Sequence, residues 1–241
     1  MRLDKYLLSK LLYNSRSSAQ NNIKLGNVCV NNKVVNNCHY DVNDKDVVTI
    51  NEKNHYVSRG AYKLLGAIKE FNLKFKDLVV LDIGSSTGGF TQVAIEQGAK
   101  HVYSIDVGTD QMDKVLRTNH KITLFEQTHF NKLTISKFKD KIDFVVADLS
   151  FISLTKLIDK LASLFKHHYK LVLLIKPQFE LTKQEIDHNK GRVQQAKLQI
   201  KAKDKIKNYA ELKGFKNIKI CKSPITGNKS KNTEYLLYME Q

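Results

Sequence analysis

The chain has 241 residues, enough for one full α/β domain plus a small module, and its hydrophobic fraction of 41% argues against wholesale disorder. Its 40 Lys and Arg against 24 Asp and Glu give a net charge of +16, which favours a phosphate-rich partner such as nucleic acid. No apolar run approaches a membrane span, the N-terminus begins in a mixed helical pattern, and the three cysteines form no CxxC pair; we therefore expect a cytoplasmic protein without a signal peptide or stable membrane insertion.

Residues 1 to about 55 predict a small α+β segment, followed by a linker around Asn51 to Tyr56. In chain order, the predicted elements are a helix on Leu3, Leu7, Leu8, Leu11 and Leu12, a second helix from Ser15 to a stop at Gly26, a hairpin of residues 28–30 and 33–35, and a strand over 47–50. The helices rest on the helical spacing of apolar residues, and the hairpin rests on the Asn31-Asn32 turn.

From Leu78 onward, predicted strands alternate with predicted helices. The strands are residues 79–82, 102–106, 123–125, 144–148 and 171–175, followed by an antiparallel pair, 218–220 and 235–238; a Lys-rich helix spans 194–213. Apolar strands with few interruptions are typical of a parallel sheet that helices cover on both faces. The sequence therefore predicts a mostly parallel α/β sheet.

A glycine-rich loop, LDIGSSTGGF at residues 81–90, follows the first of these strands and precedes a helix. It resembles the nucleophile elbow of α/β-hydrolases, the dinucleotide fingerprint, and motif I of methyltransferases. A hydrolase needs a histidine late in the chain and a glycine-rich oxyanion segment, but no histidine follows His188 and no such segment is seen. Asp106, at the end of the next strand, could accept both ribose hydroxyls of a nucleoside cofactor. An NAD site stays open as the second interpretation, although the glycine spacing of the dinucleotide fingerprint is absent.

Asp148 and Lys176 end two further predicted strands. Ligands of open α/β sheets bind beyond the carboxyl ends of the strands, so both side chains are expected at the same crevice. Either residue alone could be a cap or a solvated charge, but the two together favour chemistry. No metal site is predicted, because the adjacent His167 and His168 cannot share one face of a helix.

Long motifs then point to a family. The segments YVSRGAYKL, LDIGSSTGGFT, DVGTDQMD, ADLSFISL and LIKPQFE resemble the TlyA family, bacterial ribosomal RNA 2′-O-methyltransferases with an FtsJ-like catalytic domain. The resemblance implies a Rossmann-like class I methyltransferase fold with a seven-stranded, mostly parallel sheet whose last strand is antiparallel. It also implies S-adenosylmethionine as cofactor and a catalytic tetrad of Lys63, Asp148, Lys176 and Glu234.

The chemistry agrees with this assignment. A ribose hydroxyl needs a base within hydrogen-bond reach, and a lysine serves only if its pKa is lowered. A second lysine and the sulfonium of the cofactor would lower that pKa, so we expect Lys176 to be the base and Lys63 to share the proton network. The expected cofactor-binding residues are Asp82, Gly84, Ser85, Ser86, Gly88, Gly89, Phe90 and Asp106. Two departures from the family pattern, Lys231 and the Gly191-Arg192-Val193 segment, concern loop geometry.

The N-terminal segments RLDKYL, SRSSA and IKLGNVCVN are similar to the S4 RNA-binding domain. The expected RNA contacts are Arg2, Lys5, Arg16, Lys24 and Arg59. The expected domains are an S4-like domain over 1–55, a linker over 56–62 and the methyltransferase domain over 63–241. The resemblance thus implies an enzyme that methylates a cytidine ribose in 16S or 23S ribosomal RNA or both, acting on RNA or ribosomal subunits. A non-catalytic ribosome-assembly factor and a membrane-active hemolysin are the alternatives.

Overall fold

The computed structural model describes residues 1–13, 16–24, 26–50, 56–186, 192–227 and 231–241. The expected helix start at Ser15, most of the linker around Asn51 to Tyr56, and Gly191 lie outside the described residues. The chain forms two compact units, Met1–Ala61 and Tyr62–Gln241, and each is described here by itself.

The first unit packs two helices against a small antiparallel sheet. Its elements are α1 (Leu3–Ser9), α2 (Arg16–Lys24), β1 (Val28–Val30), β2 (Lys33–Val34) and β3 (Val48–Ile50), with strand order β2-β1-β3. Leu3 and Leu7 are fully buried and join the same apolar cluster as Ile23. The expected helix on five leucines is shorter than predicted, because it ends at Ser9 and Leu11 adopts a left-handed backbone with φ +56° and is exposed.

The second unit is built on one seven-stranded sheet. Its strands are β4 (Val79–Ile83), β5 (His101–Ile105), β6 (Ile122–Phe125), β7 (Phe144–Ala147), β8 (Lys170–Ile175), β9 (Lys216–Lys222) and β10 (Tyr235–Glu240). The strand order is β6-β5-β4-β7-β8-β10-β9, and β10 runs antiparallel to both of its neighbours while the other pairs are parallel. The prediction of a mostly parallel sheet whose last strand is antiparallel is confirmed.

Helices cover this sheet. They are α3 (Gly60–Phe71), α4 (Gly89–Glu96), α5 (Lys114–Arg117), α6 (Leu154–Leu164), α7 (Pro177–Glu180), α8 (Lys183–Ile186) and α9 (Ala196–Leu212), with 3₁₀ turns at Phe130–Lys132 and Ile135–Lys137. Helix α6 begins at the side-chain cap of Ser153 and buries Leu157 and Leu161 against the sheet core. Helix α9 buries Ile206 in the same core.

The chain order of the strands decides where a ligand can bind. From β4 the chain builds β5 and β6 on one side, and it then crosses to β7 and β8 on the other side. The strand order therefore reverses between β4 and β7. Crevices of open α/β sheets form at such a reversal, beyond the carboxyl ends of the strands.

Candidate active site

Four charged side chains from distant parts of the chain meet beyond the carboxyl ends of β7 and β8. The ammonium of Lys63, on α3, lies 2.8 Å from a carboxylate oxygen of Asp148 and 2.8 Å from one of Glu234. The ammonium of Lys176 lies 2.7 Å from the other carboxylate oxygen of Asp148. The side chain of Asp148 is 20% exposed, and those of the other three are at most 10% exposed. The structure thus brings all four predicted tetrad residues into one buried network.

The sheet register explains this meeting. Strands β7 and β8 are parallel neighbours, so Asp148 and Lys176, each following the end of its strand, emerge at the same edge. Strand β10 runs the opposite way, and its first residue, Tyr235, pairs with Ile175 at the end of β8. Glu234, directly before β10, is therefore placed beside Lys176 although the two are far apart in sequence.

Electrostatic interactions within this network shift the pKa values of Lys63 and Asp148 in opposite directions. Burial alone would lower the pKa of Lys63, but the carboxylates of Asp148 and Glu234 outweigh burial and raise it above its ordinary value. Burial alone would raise the pKa of Asp148, but the two lysine ammonium groups outweigh burial and lower it. Lys63 is therefore protonated and Asp148 ionised at neutral pH.

Two residues of the loop after β7 belong to this site and were missed at the sequence level. The hydroxyl of Ser150 accepts a hydrogen bond of 2.8 Å from Lys176. Phe151 has a left-handed backbone, φ +66°, and a side chain that is 90% exposed, and its ring lies 5.1 Å from that of Phe179. Such a conformation is uncommon for an aromatic residue. The only signal in the sequence is that an aromatic residue follows Asp148 within the ADLSF segment.

The glycine-rich loop lies between β4 and α4. Gly84 has φ +81°, and a Cβ there would come within 2.9 Å of the Leu149 side chain, so a larger residue would displace Leu149 and strain the backbone. The carboxylate of Asp106 accepts hydrogen bonds of 2.7 Å from the backbone N–H groups of Ser86 and Gly108. A carboxylate has about four lone-pair sites, so Asp106 keeps capacity for further donors.

The expected cofactor-binding residues fall into two groups. Gly84 and Asp106 line a cavity, whereas Asp82 and Phe90 are buried beneath the loop and offer little surface to a ligand. Asp82 accepts a hydrogen bond of 2.6 Å from the hydroxyl of Thr91 on α4. Burial raises the pKa of Asp82 to about 7 even though this hydrogen bond lowers it. Asp82 therefore connects β4 to α4 on the two sides of the loop.

The remaining expected cofactor residues shape the turn itself. Ser86 has φ +48° and Gly88 has φ +96°, and the N–H of Gly88 donates to the carbonyl of Ser85. Ser85 is buried, and Gly89 is the first residue of α4. Ser86, in the middle of this sharp turn, is exposed, and the turn leads into the start of a helix, where anionic or polar groups are favoured.

The cavity beside the loop has a volume of about 210 Å³. Its walls combine the ends of β4 and β5 with the loop that follows Asp148; they include Ile83, Gly84, Asp106, His129, Phe130 and Leu149. Apolar walls suit a flat heterocycle, and Asp106 suits ribose hydroxyls, so these residues fit a nucleoside cofactor. The cavity also reaches Ser150 and Phe151, and it therefore adjoins the charged network.

Two of the expected RNA-binding residues, Arg2 and Arg16, are arranged around a buried acid. Asp4 is fully buried and lies 2.9 Å from the guanidinium of Arg2 and 3.0 Å from that of Arg16. Burial alone would raise the pKa of Asp4, but hydrogen bonds from both arginines and Gln20 lower it strongly. Two arginines around one acid leave a net positive charge.

The other expected RNA contacts are surface residues. Lys5 and Lys24 are exposed, and Arg59 is half-buried directly before α3. Within the described ranges, no cluster of His, Cys, Asp or Glu has the composition of a metal site. The helices of those ranges also include none that is both long and apolar enough to cross a bilayer.

Known proteins resemble this chain over both units. Residues 56–241 match the FtsJ-like methyltransferase family, and residues 1–48 match the S4 domain. Hemolysin A of Brachyspira hyodysenteriae is 36% identical, over 99% of each chain. The 16S/23S rRNA (cytidine-2'-O)-methyltransferase TlyA of Mycobacterium tuberculosis is 33% identical, over 99% of this chain and 89% of its own.

Solved structures agree. A Streptococcus thermophilus protein described as a hemolysin superposes with a TM-score of 0.77 at 33% identity, covering 100% of this chain and 88% of its own. Magnesium protoporphyrin IX methyltransferase of Synechocystis, solved with bound SAH, shares the fold at a TM-score of 0.51 and 16% identity, over 76% of this chain and 82% of its own. With its matches to both domains and to TlyA over nearly its whole length, the chain belongs to the TlyA family of FtsJ-like methyltransferases.

Proposed function

We propose that this protein is an S-adenosylmethionine-dependent methyltransferase that modifies the 2′-hydroxyl of a cytidine in ribosomal RNA. The observation that carries the proposal is the buried network of two lysines and two carboxylates beside a cavity that fits a nucleoside. The names of the TlyA relatives support ribosomal RNA and cytidine as the substrate. The net charge of +16 supports a polyanionic partner.

In this proposal, the cofactor lies in the cavity along β4 and β5. Asp106 accepts hydrogen bonds from its ribose hydroxyls, and Gly84 lets the backbone approach it closely. Ser85, Ser86, Gly88 and Gly89 form the turn beside it, while Asp82 and Phe90 hold that turn from below. When bound, S-adenosylmethionine supplies an electrophilic methyl group on a sulfonium.

The charged network then handles the proton. The raised pKa of Lys63 keeps that amine protonated. Lys176 pairs with one carboxylate rather than two and is the proposed base, which must release its own proton before it can take that of the 2′-hydroxyl. Neutral Lys176 would take the proton of the 2′-hydroxyl while the ribose oxygen accepts the methyl group that the bound cofactor would supply. Asp148 and Glu234 hold the two amines in place, and Lys63 donates to the reacting oxygen.

RNA recognition is proposed for two surfaces. Arg2 and Arg16, held around Asp4, contact phosphates together with Lys5, Lys24 and Arg59. The exposed ring of Phe151 lies at the rim of the site, where it can stack against an unpaired base. We assign the S4-like RNA-binding domain to residues 1–55, the linker to 56–62 and the methyltransferase domain to 63–241. The two family matches, over residues 1–48 and 56–241, support an S4 domain followed by a methyltransferase domain.

The deciding experiment maps ribose methylation on ribosomal RNA from cells with and without this protein. Purified protein is then incubated with ribosomal subunits, naked ribosomal RNA and radiolabelled S-adenosylmethionine. We expect one or a few cytidine sites to lose methylation in the deletion strain and to regain it in vitro. A Lys176→Ala variant should bind the cofactor normally and transfer no methyl group. An unchanged methylation map would refute the proposal, and undiminished turnover of the variant would exclude Lys176 as the base.

A further inference from the structure

A further buried acid follows Lys176 in the chain and has no part in the mechanism above. Glu180 is 4% exposed and is the last residue of α7. This short helix begins at Pro177, directly after Lys176. The carboxylate of Glu180 is therefore rigidly connected, through one helical turn, to the strand end that carries Lys176.

The partners of Glu180 lie on the other catalytic loop. One carboxylate oxygen accepts a hydrogen bond of 2.6 Å from the hydroxyl of Ser153, and the other accepts one of 2.9 Å from the backbone N–H of Leu154. Ser153 caps α6, which begins at Leu154, a few residues after Asp148. A single carboxylate thus joins the segment after Asp148 to the segment after Lys176.

Two further contacts join the same segments nearer the active site. Lys176 donates to the hydroxyl of Ser150, and the ring of Phe151 packs against that of Phe179. The hydrogen bond from Ser153 to Glu180 is part-buried like that from Lys176 to Ser150, whereas the bond from the N–H of Leu154 to Glu180 is buried. The bond to Leu154 is therefore the one with which water competes least.

Among the described residues, Lys205 of α9 forms an ion pair with Glu180. Its ammonium donates a hydrogen bond of 2.6 Å to the backbone carbonyl of Glu180 and lies 3.7 Å from the carboxylate. Burial raises the pKa of Glu180, while Ser153, Leu154 and Lys205 act in the opposite direction. Its fixed partners are two hydrogen-bond donors on the neighbouring loop.

We propose that Glu180 is a positioning residue that sets the distance between Asp148 and Lys176 by joining the two loops that carry them. The inference rests on the proposed methyltransferase function for its kinetic readout. Loss of the bridge lets the loops separate, and a displacement of about 1 Å in reacting groups can lower turnover by about 100-fold. RNA affinity should change little, because Glu180 is buried and contacts no RNA-facing residue named above.

The test compares four variants of the full chain. Glu180→Ala removes both acceptor atoms, and Ser153→Ala removes one donor. Glu180→Gln keeps the bridge, because its amide can accept from the N–H of Leu154 and donate to the hydroxyl of Ser153. Glu185→Ala is the matched control, since Glu185 also pairs with a lysine of α9, Lys201 at 2.7 Å, while its hydrogen bonds come from Thr182 in its own segment rather than from the loop after β7.

We expect Glu180→Ala to lower kcat by about 100-fold with KM for RNA within about twofold, and Ser153→Ala to lower it less. Glu180→Gln and Glu185→Ala should keep kcat within about threefold of the wild type. The pH profile of kcat should shift in the alanine variant and not in the control. If Glu180→Gln loses as much activity as Glu180→Ala, or if Glu180→Ala matches the control, the bridge does not position the site.

Hydrogen exchange gives a readout that does not depend on catalysis. The amides of residues 148–154 should exchange faster in Glu180→Ala than in Glu180→Gln or Glu185→Ala. An inactive wild type would refute the proposed function while this comparison still tests the bridge. Should Glu180→Ala fail to fold, Ser153→Ala and Glu180→Gln keep both measurements decisive. Equal exchange in the foldable variants and the control would overturn the proposal.

Discussion

Replacing Asp148 by Asn removes the negative charge that two lysines share, while it keeps the shape of the side chain. In the wild type, the two oxygens of Asp148 lie 2.8 Å from Lys63 and 2.7 Å from Lys176. After the change, Lys63 keeps Glu234 at 2.8 Å, but Lys176 keeps only the hydroxyl of Ser150. One buried ammonium group is thus left without a carboxylate.

Removing one partner of a buried ion pair costs about 3–5 kcal/mol. Because Asp148 is 20% exposed and Lys63 retains Glu234, we expect a smaller loss of about 2–3 kcal/mol in the free energy of unfolding at pH 7. Since the folded state lowers the pKa of Asp148, this stabilisation is complete above the unfolded-state pKa of about 3.9. It is lost as the pH falls further through the folded-state pKa.

Urea denaturation at pH 7 and at about pH 3.5 measures the difference, and methyl transfer to ribosomal subunits measures activity. We expect turnover of Asp148→Asn to fall by about 100-fold or more. Asp159→Asn is the matched control, because its carboxylate pairs with Lys213 on the exposed surface and such pairs contribute about 0–1 kcal/mol. The reasoning fails if Asp148→Asn unfolds like this control or turns over like the wild type.

Three further outcomes are expected. Gly84→Val should abolish cofactor binding in calorimetry while the fold survives by circular dichroism, because a Cβ there meets Leu149 at 2.9 Å; unchanged affinity would show that the loop does not approach the ligand. The free energy of unfolding of Asp82→Asn should rise relative to that of the wild type between pH 5 and pH 8, by on the order of 2 kcal/mol. The pKa of Asp82 is raised to about 7 in the folded state, so the wild type loses stability as the pH rises through that window, whereas Asn does not titrate. Parallel urea curves at the two pH values would contradict this. Asp4→Asn should weaken RNA binding in filter assays at low salt more than Lys5→Ala does, because it releases both arginines that Asp4 holds; equal losses would argue against an ordered arginine pair.

The sheet could be predicted from the sequence because its strands are apolar with few interruptions. Asp148 and Lys176 could be predicted for the same reason, since residues that follow parallel strands share one edge of the sheet. The prediction of Lys63 and Glu234 as active-site residues rested on the family resemblance alone. One lies on a helix and the other precedes an antiparallel strand, and no local spacing connects them.

Other features depend on packing that local sequence does not encode. The leucine spacing predicted a longer first helix, but the left-handed backbone of Leu11 ends it. A motif also does not separate residues that line a cavity from residues that support it, and Asp82 is of the second kind. Likewise, the local sequence did not predict that Arg2 and Arg16 both pair with Asp4.

The antiparallel direction of β10 has a consequence for biosynthesis. Strand β10 is the last of the seven to be synthesised, and it lies between β8 and β9. Glu234, directly before β10, therefore reaches the site only when β10 has inserted between these two strands. Lys63, Asp148 and Lys176 are synthesised earlier, and the network is complete only when Glu234 joins them. A ribosome-bound nascent chain that lacks residues 234–240 should therefore hold an incomplete proton network, and the enzyme should gain activity only after that strand has emerged and paired.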